Sequence, residues 1–198
     1  LTYKSRAQAR ESLFEEISPH HILAPCFFPD CGIPRLQTIM GPQVFLLMNI
    51  FVTGGAGYIG SVCVEELLNA GHSVTVFDNL SEGHRAAIDP RARFEQGDLM
   101  DQPGLNAALG RSGADAVMHF AANALVGESM QNPAKYFRNN VTGGLHLLEA
   151  MAHCGVRKIV FSSTCATFGT PERVPIDESM PQKPINPYGE SKLMFEHM

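Results

Sequence analysis

From Met48 onward, short apolar runs alternate with longer stretches in which apolar residues recur every three or four positions. Residues 48–53 (MNIFVT) are a nearly continuous apolar run, as in a parallel strand covered on both faces. Glycines at 54, 55, 57 and 60 follow, and the spacing of Ile59, Val62, Val64, Leu67 and Leu68 predicts a helix that Gly71 ends. Residues 73–77 (SVTVF) predict a second strand running out at Asp78, Arg93 to Gln96 a third, and 115–120 (DAVMHF) a fourth. One long helix is expected near 129–154, through Val141, Leu145, Leu148 and Met151. A fifth strand at 158–163 (KIVFSS), a proline-rich loop and a last helix from Pro187 complete the pattern. Strand and helix alternate with no internal repeat, which predicts an α/β fold, a doubly wound parallel sheet with right-handed crossovers.

Residues 1–47 do not follow this pattern. They hold five of the 13 prolines and two of the 18 glycines, and their four basic and four acidic residues cancel, so the net charge of -5 sits entirely in residues 48–198. The expected organisation is an extension over 1–47, poorly ordered and of no assigned role, and one α/β domain over 48–198. Lys4, Arg6 and Arg10 among Ser and Ala hint at a targeting segment, but Glu11, Glu15 and Glu16 follow at once, and transit peptides are poor in acid. His20, His21, Cys26 and Cys31 match no zinc spacing, so no metal is expected. The chain has 198 residues, enough for one core, and no apolar run near the ~18 residues of a membrane span. Its acidic balance argues against nucleic acid as a partner. Five cysteines without a CxxC pair do not make a secreted disulfide framework, which points to a reducing, cytoplasmic setting.

Two motifs carry chemistry. In Thr53-Gly54-Gly55-Ala56-Gly57-Tyr58-Ile59-Gly60, glycines fall at 54, 57 and 60 between a strand and a helix. A pyrophosphate can approach such a turn only where side chains are absent, and free N–H groups at the helix start stabilise its charge. Asp78 ends the next strand, where a carboxylate accepts hydrogen bonds from adenosine ribose hydroxyls and repels a 2′-phosphate, so NAD is expected in preference to NADP. Asp98, in Gly97-Asp98-Leu99, is placed to meet adenine or to cap a helix. The second motif is Tyr188-Gly189-Glu190-Ser191-Lys192. At i and i+4 on a helix the phenol and ammonium share a face, and a nearby cation favours phenolate, making Tyr188 a candidate acid/base. Thr164, closing Ser162-Ser163-Thr164, adds a hydroxyl at the carboxyl edge of the sheet or caps the strand end.

The ordered set TGGAGYIGS, VFDNLS, GDL, FAA with VGES, NNVTGG, SSTCATFG and PYGESK resembles the extended short-chain dehydrogenase/reductases, and within them the UDP-glucose (UDP-galactose) 4-epimerases. The resemblance runs from Met48 to Met198. It implies that Gly54, Gly57, Tyr58, Ile59 and Gly60 line the NAD pyrophosphate, Asp78 and Asn79 the adenosine ribose, and Asp98 and Leu99 the adenine. Phe120, Ala121, Ala122 and Asn139 would lie along the cofactor, with Tyr188, Lys192 and Thr164 as the catalytic group, Tyr188 and Lys192 also touching it. It further implies a UDP-sugar substrate and a homodimer, and a sixth strand and C-terminal substrate domain beyond Met198, without which this chain is expected to be inactive alone. The acidic pair that sister dehydratases carry after the strand-end Thr is replaced by Cys165-Ala166. Ala124 stands where many galactose epimerases have Lys, and SSTCATFG also resembles UDP-arabinose (UDP-xylose) 4-epimerases.

Overall fold

The structure is a computed structural model and describes residues 46–198. The extension up to residue 45, with His20, His21, Cys26 and Cys31, lies outside the described residues. Five strands, β1 (Asn49–Thr53), β2 (Ser73–Asp78), β3 (Arg93–Gln96), β4 (Ala116–His119) and β5 (Ile159–Phe161), form one parallel sheet in the order β3-β2-β1-β4-β5. This is the expected doubly wound α/β sheet. The chain winds outward from β1 to β3 and then returns to β4 on the far side of β1. The carboxyl ends of β1 and β4 therefore diverge at a topological switch point, with Thr53 and His119 as register partners.

Both faces of the sheet are covered, which is why its strands read as apolar runs. Phe51, Phe77 and Val117 point to one face, against Leu105 and Leu109 of α2 (Gln102–Ser112) and Leu147, Ala150 and Met151 of a later helix. Ile50, Val52, Val74 and Val76 point to the other, where Val64, Leu67 and Leu68 of α1 (Tyr58–Asn69) cover them. Alternate residues of each strand thus serve opposite layers. Ile59 and Val62 were expected on the buried stripe of α1 but are exposed, since only the i, i+3, i+4 set from Val64 reaches the sheet.

The long helix expected near 129–154 is instead several segments. α3 (Val126–Gln131) stops at Asn132, whose side chain accepts from the Lys135 N–H and starts α4 (Pro133–Tyr136). Pro133 brings no N–H to continue α3. A π-helical turn, Phe137–Thr142, then runs into α5 (Gly143–Cys154). The fifth strand is shorter than expected because Thr164 Oγ1 accepts from Ala166 N–H at 3.1 Å and opens a 3₁₀ turn, Cys165–Phe168, leaving Ser162–Thr164 at the sheet's edge. The last helix, α6 (Pro187–His197), begins where expected. Asn186 Oδ1 caps it by accepting from Gly189 N–H at 2.8 Å, and Pro187 fills the first position, where a helix needs no donor.

Candidate functional site

An open cleft with about 570 Å³ of empty space lies over the carboxyl ends of β1, β2, β3 and β4. Gly54 and Gly57 line it from the first turn, Phe77, Asp78 and Asn79 from the end of β2, and Ser81, Glu82 and Gly83 from the following loop. Gly97, Asp98 and Leu99 follow β3; Phe120–Asn123 follow β4; Asn139 comes from the π-helical turn. Ten of the residues expected along the cofactor are in this lining. Tyr58, Ile59 and Gly60 are not: they form the first turn of α1, with the Tyr58 side chain 79% exposed.

The three motif glycines have different physical causes. Gly54 has φ +74°, and a Cβ there would stand 2.4 Å from the Ala121 nitrogen, so the turn abuts the chain after β4. A Cβ on Gly60 would stand 2.2 Å from the Gly54 carbonyl oxygen, which places the close packing against the turn itself. Gly57 has φ -78°, and its Cβ would meet only the Gly54 oxygen, at 3.3 Å. The fold makes little demand for glycine at 57, yet it caps α1 with no side chain and faces the cleft. That space suits a phosphate against the helix N-terminus.

Asp78 is buried with both oxygens in use: Oδ2 accepts from Ala56 N–H at 3.0 Å and Oδ1 from Leu80 N–H at 2.8 Å. It thus ties the glycine turn to the loop after β2, and each oxygen keeps a lone pair for a ligand hydroxyl. Asn79 Nδ2 donates to Asp98 Oδ2 at 2.9 Å, and Asp98 Oδ1 accepts from Met100 N–H at 2.8 Å. Asp98 does not cap α2; Asp101 does. The lining holds three carboxylates, Asp78, Glu82 and Asp98, and no Lys or Arg.

The second motif stands beyond this cleft, at the β5 side. α6 packs tightly on the turn that Thr164 opens, since a Cβ on Gly189 would lie 2.5 Å from the Ala166 oxygen. Thr164 Oγ1 is the cap acceptor there and retains its proton to donate. The half-buried Tyr188 ring rests edge-on to Tyr136 of α4, centroids 6.4 Å apart. Lys192 is 4% exposed, and its Nζ donates to the Ser162 carbonyl at 2.8 Å. Burial pushes its ammonium down to about 8.

Two supporting residues were not foreseen. Asn140, buried in the π-helical turn beside Asn139, accepts from Asn123 N–H at 2.9 Å and donates to Asn123 O and Ser191 Oγ, each at 3.0 Å. It ties the loop after β4 to α6, and the local signal was a polar pair inside an apolar helical pattern. His119 is buried with its Nδ1 2.6 Å from Thr53 Oγ1; drying by burial, and then the Lys192 charge, push it down to about 3, so it is neutral.

A prediction follows from Lys192. Below about 8 both folded and unfolded chains carry its charge, and the cost of drying it is present in full. As pH rises toward the ordinary value of 10.5 the unfolded chain binds more protons, so stability rises, by ~3 kcal/mol in all. Lys192→Met should therefore lose ~3 kcal/mol relative to the parent between pH 7 and pH 10.5. Urea denaturation at the two pH values measures this; a pH-independent difference would mean the ammonium is not dry.

Residues 50–198 match the family model described as the NAD dependent epimerase/dehydratase family. The chain belongs to that family. It is 57% identical over 149 residues to UDP-glucose 4-epimerase of Lacticaseibacillus casei, covering 75% of this chain and 45% of the relative. It is 48% identical over 189 residues to UDP-arabinose 4-epimerase 1 of Arabidopsis thaliana, covering 88% of this chain and 44% of the relative. The crystal structure of UDP-glucose 4-epimerase from Brucella ovis in complex with NAD superposes with a TM-score of 0.74 at 48% identity, over 76% of this chain and 46% of that one. The chain thus spans less than half the length of these relatives. Family membership accounts for the cleft at the switch point and for the epimerase-like order of the motifs around it.

Proposed function

We propose that this chain is the cofactor-binding part of an NAD-dependent UDP-sugar 4-epimerase, an isomerase that interconverts UDP-glucose and UDP-galactose through a transient 4-keto sugar. The observation that carries the reading is the cleft, open at Gly57 and rimmed by carboxylates, beside a corner holding Tyr188, Thr164 and Lys192. With no Lys or Arg in the lining, a dinucleotide's phosphates would rest on N–H groups at the start of α1, and Asp78 and Asp98 would repel an added 2′-phosphate. Gly54, Gly57, Tyr58, Ile59 and Gly60 would hold the pyrophosphate, Asp78 and Asn79 the ribose, Asp98 and Leu99 the adenine, and Phe120, Ala121, Ala122 and Asn139 the remainder.

The chemistry that bound NAD would supply is reversible acceptance of a hydride from the sugar, which would leave no net redox change. The protein's part is proton transfer and positioning. Tyr188 takes the 4-hydroxyl proton and gives it back, Thr164 donates a hydrogen bond that orients the sugar oxygen, and Lys192 sets a positive charge one turn along the same helix. Dehydration is not supported, because Cys165 and Ala166 follow Thr164 in place of an acid and a base. UDP-arabinose/UDP-xylose 4-epimerisation is the second reading, favoured by the match to the plant enzyme. The setting is cytoplasmic and the whole protein a homodimer; exposed Leu145 on α5 and Met194 on α6 support a partner surface. No helix among the described residues is long and apolar enough to cross a membrane.

The test is mass spectrometry of nucleotide released on denaturing the purified chain. NAD is the expected species. NADP, or no nucleotide from a chain whose circular dichroism shows it folded, would overturn the reading.

A further inference from the structure

Lys192 is buried without a carboxylate partner among the described residues. Besides the Ser162 carbonyl, its Nζ has the ring of Phe161, 4.6 Å from the centroid. That ring is itself held. Phe195 packs on it with centroids 4.2 Å apart, and the neutral His119 imidazole lies nearly parallel to it at 5.6 Å and 5.1 Å from Phe195. Phe195 reaches this position only because residue 144 is glycine: a Cβ there would stand 2.4 Å from Phe195 Cδ2. α5 therefore carries a notch one carbon deep, and α6 fills it with a ring that backs Phe161.

We propose that Phe161, backed by Phe195 in the Gly144 notch, is a positioning residue that presents the Lys192 ammonium at the carboxyl edge of the sheet. The proposal rests on the reading of Lys192 as part of the catalytic group. A carboxylate in this place would hold the ammonium but cancel its charge. A carbonyl and an aromatic face stabilise a dry cation and leave its charge uncompensated. That charge remains available to Tyr188, one turn earlier on the same helix. The titratable groups around it are consistent with this. His119 from β4 is neutral, Tyr136 from α4 lies against Tyr188, and Glu196, one turn on, is bonded to Ser163 and Gln182.

The test is an NMR titration of the whole chain labelled at lysine Cε, which has five lysines to resolve, with Lys192→Arg to assign the signal. Trifluorophenylalanine placed at 161 keeps the ring's shape and removes the charge from its face. It should lower the Lys192 midpoint, about 8 in the parent, by about one pH unit. Phe161→Leu should move it the same way; should that variant not fold, the isosteric ring still decides. An unmoved midpoint with the fluorinated ring overturns the proposal. So does an equal shift from fluorination at Phe94, whose ring carries Arg85. A normal turnover by Lys192→Met in a completed enzyme would instead remove the catalytic reading and leave the titration standing.

Discussion

Phenylalanine at position 188 should abolish epimerisation and leave the cofactor in place. The Tyr188 ring is half-buried against Tyr136, so phenylalanine keeps that packing and removes one oxygen. That oxygen is the group assigned to remove and restore the sugar proton, and loss of a positioned acid/base costs ~10²–10⁴-fold in rate. The Gly54–Asp78–Asp98 cleft does not include residue 188, so bound NAD should persist. The measurement uses a chimera in which the C-terminal half of a curated relative completes this chain. Conversion of UDP-glucose to UDP-galactose is followed by product analysis, with released nucleotide assayed in parallel. Turnover within tenfold of the parent would assign the proton transfer to another group.

Alanine at 60 should destabilise the domain by about 2 kcal/mol, while alanine at 57 should leave its stability nearly unchanged and empty it of NAD. Inside α1, alanine is ordinarily the better residue by ~1 kcal/mol. At Gly60 its Cβ would sit 2.2 Å from a backbone oxygen of the turn, and neither backbone can yield without moving β1 or α1. Overpacking against backbone costs ~3 kcal/mol, so the steric term wins. Gly57 has an ordinary φ of -78° and one 3.3 Å contact, so Gly57→Ala should change stability by ~1 kcal/mol or less. Its methyl group would occupy the space assigned to the pyrophosphate. Urea denaturation and released-nucleotide mass spectrometry on both variants read the two effects separately. Retention of NAD by Gly57→Ala would reduce that glycine to a turn-former.

Much of this was legible along the chain because its causes are local. The five strands, their alternation with helices, the glycine turn and Asp78 at the end of β2 each follow from spacing within a few residues. The errors were local contests decided elsewhere. The expected long helix broke because Asn132 caps a new start and Pro133 withholds a donor. The fifth strand stopped early because Thr164 spends its hydroxyl on the next turn. Asp98 was read as cleft residue or cap, and the cap fell to Asp101.

The amino-acid sequence by itself determined the doubly wound α/β class, the position of the glycine turn and the order of the chemical motifs, because period, strand-end residues and turn chemistry act over one or two turns of chain. Only the tertiary structure decided what supports the Tyr188–Lys192 corner. Asn140 meets Ser191 across 51 residues, Thr53 meets His119 across 66, and the Gly144 notch receives Phe195 from another helix. None of these pairs has a local signature. They exist because the sheet reverses its winding at β1 and brings the ends of β4, β5 and α6 to one edge, where buried polar groups must find partners and a missing Cβ must be filled.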